Sequence, residues 1–186
     1  SYSNDPGSNI SEVVLPESVM AIGYSAFYNC DALTEIALPG SLEVIGGYAF
    51  YGCDKLEAVE VPGSVTQIEN NAFEACTNLR SVTLDVDGAG EDLLIGDAVF
   101  RGCVNLSEIT IPANVTKLGN YVFEGAVNLK SVILENGVAS IGNEFLKDTG
   151  VTEIILPRSV TSANYALGGA QNLKKVTFGD GTKTVP

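Results

Sequence analysis

Residues 33–53 of the 186-residue chain read Leu33-Thr-Glu-Ile36-Ala-Leu38-Pro39-Gly-Ser41-Leu42-Glu-Val-Ile45-Gly46-Gly-Tyr-Ala49-Phe50-Tyr-Gly-Cys53. The same order of apolar, proline, serine and glycine positions returns about every 23 residues along nearly the whole chain. A fixed period of this length is the signature of a repeat architecture, in which each unit stacks on the next.

Three columns of residues stay in phase with this period. The first column is aromatic, with leucine in its last place, and contains Phe27, Phe50, Phe73, Phe100, Phe123, Phe145 and Leu167. Three residues later stands a column of small side chains, Cys30, Cys53, Cys76, Cys103, Ala126, Asp148 and Ala170. After three more residues comes an aliphatic column of Leu33, Leu56, Leu79, Leu106, Leu129, Val151 and Leu173. Chance does not keep such columns aligned over seven units.

Each unit begins with a short strand, because Ile36 and Leu38 alternate with residues that point the other way. Pro39 ends the strand, since proline cannot donate to a ladder. The apolar residues of 49–53 are three to four apart, which favours one or two helical turns. Counting strand motifs from residues 10–15 to residues 173–178 predicts an α/β-type repeat solenoid. It has eight short parallel strands on one face and turns and short helical segments on the other.

The strand motif and its period resemble those of leucine-rich repeats. The half-unit Pro-x-Ser-Val-x-x-Ile-Gly-x-x-Ala-Phe-x-x-Cys is similar to the BspA-like subclass of bacterial surface antigens, and the resemblance covers about residues 10–185. It implies a secreted or surface-attached protein that adheres to host matrix proteins or to neighbouring cells. It implies no catalytic residues, because that family shares none.

The repeats predict one domain over residues 10–186, preceded by a polar linker over residues 1–9. The last unit stops at Val185-Pro186, where an Ile-Gly and an Ala-Phe are expected. A solenoid cut at this point exposes its core edge. We therefore expect the natural protein to continue beyond this point, or the open end to be paired.

Composition excludes several classes of function. The chain carries 23 acidic and 10 basic residues, a formal net charge of −13, so nucleic acid is not an expected partner. It contains no histidine, which removes imidazole catalysis and histidine-bound metals. No apolar run approaches the roughly 20 residues of a membrane helix, so this segment is not expected to insert into a membrane. We predict no enzyme activity and no cofactor, although carboxylate pairs alone can cleave glycosides.

The four cysteines are predicted to be free and buried rather than disulfide-bonded or metal-bound. Ala126 and Ala170 occupy the same column, which indicates that the place needs a small side chain and not a thiolate. The 23-residue spacing also lacks the Cys-x-x-Cys pairs of a zinc site.

The one large break in the period contains the acidic stretch Asp85–Asp92. Its carboxylates and glycines suggest a calcium loop, but Ala89 and Gly96 stand where ligands are expected. We interpret it as a solvated acidic loop, and calcium binding stays open.

Outward-facing strand positions supply most of the candidate ligand-binding residues. Ile133 and Ile155 form the apolar spot of this face, with lysines at its border. The candidates on this side are Glu35, Glu60, Glu108, Lys130, Ile133, Glu153, Ile155 and Lys175. A second candidate surface carries Tyr28 and Tyr51, beside Tyr24 and Tyr48. These tyrosines either hold a partner or a sugar, or merely cover the core edge.

The sequence thus favours a non-catalytic adhesion domain of a secreted or cell-surface bacterial protein. Its partner is a protein or glycan of a host or neighbouring cell. The alternative is an inert spacer or assembly scaffold that displays other domains. The sequence leaves the oligomeric state open.

Overall fold

A computed structural model describes residues 8–86, 92–182 and 185, and the chain there winds into a parallel-strand solenoid of about seven coils. The strands that follow the Ile-x-Leu motif are β3 (Ala58–Val61), β5 (Ser81–Leu84), β7 (Glu108–Ile111), β9 (Ser131–Leu134), β11 (Glu153–Leu156) and β12 (Lys175–Phe178). They pair in register as β3–β5, β7–β9 and β11–β12, and these pairs lie side by side along the solenoid. We call this side of the molecule the strand face.

The prediction of eight strands on this face is wrong in number. Six of the eight expected places form strands, while residues 10–15 and 33–38 do not. A strand needs a ladder of partners, and in the described part of the chain one backbone hydrogen bond joins residues 33–38 to the next coil. It runs from Glu57 N to Thr34 O (3.2 Å). Ile36 nevertheless remains buried in the core.

A second sheet, which the sequence analysis did not predict, forms at the Val-x-x-Ile-Gly part of each unit. Its strands are β1 (Ala21–Ile22), β2 (Val44–Ile45), β4 (Gln67–Ile68), β6 (Leu93–Ile95), β8 (Val115–Leu118) and β10 (Ser140–Ile141), paired in that order and all parallel. The glycines that follow these strands allow the coils to approach closely. A Cβ atom on Gly119 would lie 2.4 Å from the Gly96 carbonyl, so any side chain there must push two coils apart.

The predicted helical segments are absent: no helix occurs in residues 8–86 or 92–182, and thus none that could cross a membrane. The physical reason is a pair of left-handed residues in each turn, such as Tyr48 (φ 57°) and Gly52 (φ 68°) around Phe50. An α-helix needs negative φ at every residue. In the turn, successive backbone N–H groups donate alternately within the coil and to the next coil. Ala49 N donates to Gly46 O of its own coil, and Phe50 N donates to Ala72 O of the next.

The interior is one continuous cluster of apolar side chains. Its centre is a stack of phenylalanine rings from Phe27 to Phe123, whose neighbouring centroids are 5.0–5.8 Å apart and whose planes differ by 19° or less. This arrangement confirms that the aromatic column is core.

The repeats predict Phe145 as a member of the aromatic column, and this prediction is wrong: the column continues through Leu146. Phe123 N donates to Phe145 O as Phe100 N donates to Val122 O, so Phe145 is the counterpart of Val122 and Leu146 follows Phe123. Consequently Thr149 (2% exposed), rather than the exposed Asp148, faces the interior in that coil.

Candidate functional site

The strand face displays its outward residues in regular rows, because alternate residues of each strand are exposed and buried. Seven of the predicted ligand-binding residues lie exposed on it: Glu35, Glu60, Glu108, Ile133, Glu153, Ile155 and Lys175. Lys130 is exposed immediately before β9, where its backbone N donates to Ser107 O (2.9 Å), and it lies at the border of the face.

These residues fall into separate groups along the face. Glu35 and Glu60 join Glu12 in a shallow groove of about 690 Å³ at the N-terminal end. Glu108 and Ile133 line a second groove of about 570 Å³ in the middle. The first groove is acidic, whereas the second is lined by serine, threonine and aliphatic side chains in addition to its charges.

The apolar spot of the strand face consists of Ile133 and Ile155, which are 55% and 60% exposed. Their strands β9 and β11 are neighbours, and Ile155 pairs in register with Thr177 on the other side. Beside them, Lys175 Nζ and a carboxylate oxygen of Glu153 are 3.9 Å apart in a solvent-exposed ion pair. Such a pair contributes little to stability, so both side chains remain free to turn toward a partner.

The two tyrosines of the second predicted surface do not join this face. Tyr28 and Tyr51 follow Phe27 and Phe50 on the outer side of the turns, where their rings stack with centroids 4.8 Å apart and an interplanar angle of 4°. Burial, followed by the nearby Glu74 carboxylate, raises the pKa of Tyr51. The structure therefore separates the ten predicted residues between two sides of the solenoid.

A ladder of charged residues, which the repeat columns did not predict, extends the tyrosine pair. Glu74, Arg101, Glu124 and Lys147 occupy the place of Tyr51 in successive coils. Arg101 Nε donates to Glu74 Oε1 (2.8 Å), and Lys147 Nζ lies 3.0 Å from Glu124 Oε1. Burial alone would lower the pKa of Arg101, but its hydrogen bond and charge contact with Glu74 raise it. Reading the residue after each phenylalanine as a column could have revealed the first three members.

The cysteines offer no reactive thiol. All four are buried and free, and Cys53, Cys76 and Cys103 each donate an S–H bond to the carbonyl oxygen of a phenylalanine in the preceding coil. Burial raises the pKa of Cys53 and of Cys103 to about 12, so both remain protonated at neutral pH. A neutral thiol is a poor nucleophile and a poor metal ligand.

No group of three or more Cys, Asp or Glu side chains able to hold a metal ion occurs in residues 8–86 and 92–182. Residues 87–91 of the suggested calcium loop lie outside the described residues, so that hypothesis stays a prediction.

The chain matches the model of the BspA type leucine rich repeat region, in six copies, over residues 5–88 and 93–186. It therefore belongs to this family of repeat proteins, which confirms the resemblance found in its repeats. A search of the curated proteins found no match.

Solved structures show the same fold. A leucine-rich repeat protein from Bacteroides ovatus is 30% identical with a TM-score of 0.72, and the alignment covers 89% of this chain and 48% of that one. A leucine rich cell surface protein from Faecalibacterium prausnitzii is 27% identical with a TM-score of 0.72, over 91% and 46%. A leucine-rich repeat protein from T. pallidum is 27% identical with a TM-score of 0.66, over 90% and 72%. The chain thus spans about half the length of the first two relatives.

Proposed function

We propose that this chain is a non-catalytic, protein-binding domain of a secreted or cell-surface bacterial protein, and that it adheres to proteins of a host or neighbouring cell through its strand face. The family and the Faecalibacterium prausnitzii cell surface protein support the location. The buried, protonated thiols and the lack of histidine support a role without catalysis.

The observation that carries the proposal is the exposure of Ile133 and Ile155 side by side on adjacent strands. An exposed apolar pair with a charged border matches the usual anatomy of a protein interface, which has an apolar centre and a polar rim. Glu108 and the Glu153–Lys175 pair form that rim.

The strand face is also preorganised for binding. Its outward side chains stand on strands that pair in register, as Thr110 with Ile133 in β7 and β9. A partner that docks on such a surface does not need to order the backbone, which lowers the entropic cost of association.

Biolayer interferometry tests the proposal with the purified chain against immobilised collagen, laminin, fibronectin and fibrinogen. We expect measurable binding to at least one of them and a loss of about tenfold or more in the I133E/I155E variant, because charges replace the apolar centre. Val127→Glu is the matched control, since Val127 is 56% exposed but belongs to a turn that does not line the strand-face grooves.

The competing spacer hypothesis predicts a different pattern. An inert spacer binds none of these proteins, and binding that survives in I133E/I155E assigns the contact to another surface. Either result contradicts the proposed use of the strand face.

A further inference from the structure

A groove of about 580 Å³ runs along the corner between the second sheet and the turns that follow it. We call it the tyrosine groove and define it by Tyr24, Tyr48, Gln67, Asn70, Leu94 and Lys117. It belongs to a different side of the coil from the strand face, so nothing in the proposed function depends on it. Its volume is typical of small-molecule sites, which hold roughly 300–1,000 Å³.

Two tyrosine rings form one end of the groove. Tyr24 and Tyr48 meet edge to face, with centroids 5.5 Å apart and an interplanar angle of 60°. Tyr24 is 72% exposed although it is held in place by Tyr48 and by Gly47, where a Cβ atom would lie 3.3 Å from its ring. A ring that is held in position and faces solvent offers a ligand an apolar stacking surface at little cost in conformational entropy.

The floor of the groove is a row of three outward residues on neighbouring strands of the second sheet. Gln67 pairs in register with Leu94, and Leu94 with Lys117. Leu94 is 43% exposed between the two polar side chains. Within residues 8–86 and 92–182 the Gln67 amide has no hydrogen-bond partner and the Lys117 ammonium has no carboxylate at ion-pair distance, so both are available to a ligand.

The wall beside this floor carries polar groups in fixed orientations. Asn70 Oδ1 accepts a hydrogen bond from Asp97 N (2.8 Å), which leaves its amino group without a partner among the described residues. Asp97 Oδ1 in turn accepts from Asn120 N (2.8 Å). A planar amide held in this way presents donors in one direction and loses little entropy when it binds.

The charge of the groove limits the class of ligand. Glu69 and Asp97 add two carboxylates to its lining, against the single ammonium of Lys117, and the chain as a whole carries −13. An anionic ligand is repelled by this field. A peptide added as a strand is also disfavoured, because the sheet backbone is already bonded from coil to coil, as from Gly96 N to Ile68 O (2.9 Å).

We propose that the tyrosine groove binds an uncharged oligosaccharide. A sugar ring has an apolar face of C–H groups and an edge of hydroxyls. The groove has apolar side chains for the face and hydrogen-bonding side chains for the edge at neighbouring positions. Tyr24 and Leu94 contact the ring faces, while Gln67, Asn70 and Lys117 hydrogen-bond the hydroxyls.

Isothermal titration calorimetry tests this site with four neutral hexasaccharides, cellohexaose, xylohexaose, mannohexaose and maltohexaose, and with a heparin hexasaccharide as the anionic counterpart. We expect at least one neutral probe to bind and the heparin fragment not to bind. Tyr24→Ala weakens the bound probe about tenfold or more, because it removes the exposed ring. Gln67→Ala weakens it as well.

Tyr165→Ala is the matched control, since Tyr165 is 69% exposed but lies outside the groove. We expect it, and the strand-face variant I133E/I155E, to bind the neutral probe as the wild type does. The proposal is overturned if no neutral hexasaccharide binds, if the heparin fragment binds more tightly than all of them, or if Tyr24→Ala and Tyr165→Ala have the same effect.

Discussion

The two neighbouring columns that pass through each turn obey different rules. The phenylalanine column lies inside, where Phe50, Phe73, Phe100 and Phe123 are fully buried and stack ring on ring. The column one residue later lies on the outer side of the turns, where Glu74 is buried and the other members are at least partly exposed. Its members change from tyrosine to alternating acid and base. These are Tyr28, Tyr51, Glu74, Arg101, Glu124 and Lys147.

The difference shows what each environment demands of the sequence. The interior is close-packed, so each ring must match the shape of the rings above and below, and one residue type repeats. On the outer side a residue only needs an attractive neighbour, which a stacked ring or an opposite charge provides equally well. The outer column can therefore vary in residue type and still join neighbouring coils, as Tyr28 with Tyr51 and Glu74 with Arg101.

The largest effect is expected from Phe73→Ala. Phe73 is fully buried between Phe50 and Phe100, so its truncation should cost about 3–5 kcal/mol of unfolding free energy. Phe27→Ala is the matched variant at the end of the stack. Its ring is half-buried and, among the described residues, stacks on Phe50 alone, so its truncation should cost clearly less. Urea unfolding followed by circular dichroism measures both, and equal losses would show that the column does not act as an interior stack.

An intermediate effect is expected from the thiols at alkaline pH. The pKa of Cys103 rises from 9.0 to about 12 on burial, so the unfolded chain loses this proton at lower pH than the folded one. Its contribution is present below pH 9.0 and is lost as pH rises toward 12, at about 1.4 kcal/mol per pH unit.

Unfolding in urea with reductant, at about pH 8 and about pH 10.5, measures this dependence as a loss of about 2 kcal/mol attributable to the thiol. Cys103→Ala should reduce the slope by this amount without abolishing it, because Cys53, whose pKa burial also raises to about 12, still titrates. Alanine already fills the same column at Ala126, so the variant is expected to fold. The same slope in this variant and in the wild type would refute a buried, neutral Cys103.

The smallest effects are expected in the outer column. Arg101→Met leaves Glu74, which is 7% exposed, with Asn71 as its remaining hydrogen-bond partner, and should cost about 1–2 kcal/mol. Lys147→Met should cost less still, because the ammonium is solvent-accessible although its contacts with Glu124 and Glu144 raise its pKa. Thermal melts at low and high salt rank the two, and a larger loss for Lys147→Met would contradict this ranking.

Much of the fold could be predicted from the repeats. The Ile-x-Leu alternation of the units, the proline after it and the phenylalanine column indicated stacked coils with parallel strands. Six of the eight units form that strand, residues 33–38 do not, and the core follows the columns. The helical turns were wrong because apolar spacing of three to four residues also fits a turn with two left-handed residues. The spacing of apolar residues contains no information about φ. Tyrosine rarely adopts a positive φ, so the left-handed conformation of Tyr48 could not be predicted from its residue type.

Alignment by residue type also has a limit, as the coil at Phe145 shows. The sequence offers a phenylalanine there, yet the hydrogen bonds between coils place Leu146 in the column and turn Thr149 inward. Both Phe145 and Leu146 are large and apolar, so only the register of the neighbouring coil distinguishes them.

The candidate surfaces likewise divide into one that the sequence predicted and one that depends on the register between coils. Strand alternation predicted the outward position of Glu60, Ile133 and Ile155, because a side chain on a strand has only two directions. Tyr24 and Tyr48 already stood out in the sequence as part of a candidate surface. The rest of the tyrosine groove could not be predicted, since Gln67, Leu94 and Lys117 come from three different coils and from a sheet that the sequence did not indicate.

The sequence by itself determined the period, the inward columns outside the coil of Phe145, and the charge of this protein, because these are properties of residue order and composition. The tertiary structure alone decided the register between coils, and with it the second sheet, the place of Lys147 in the ion ladder and the grooves. The reason is that these features are contacts between residues about 23 positions apart. Their geometry depends on the register and packing of one coil against the next.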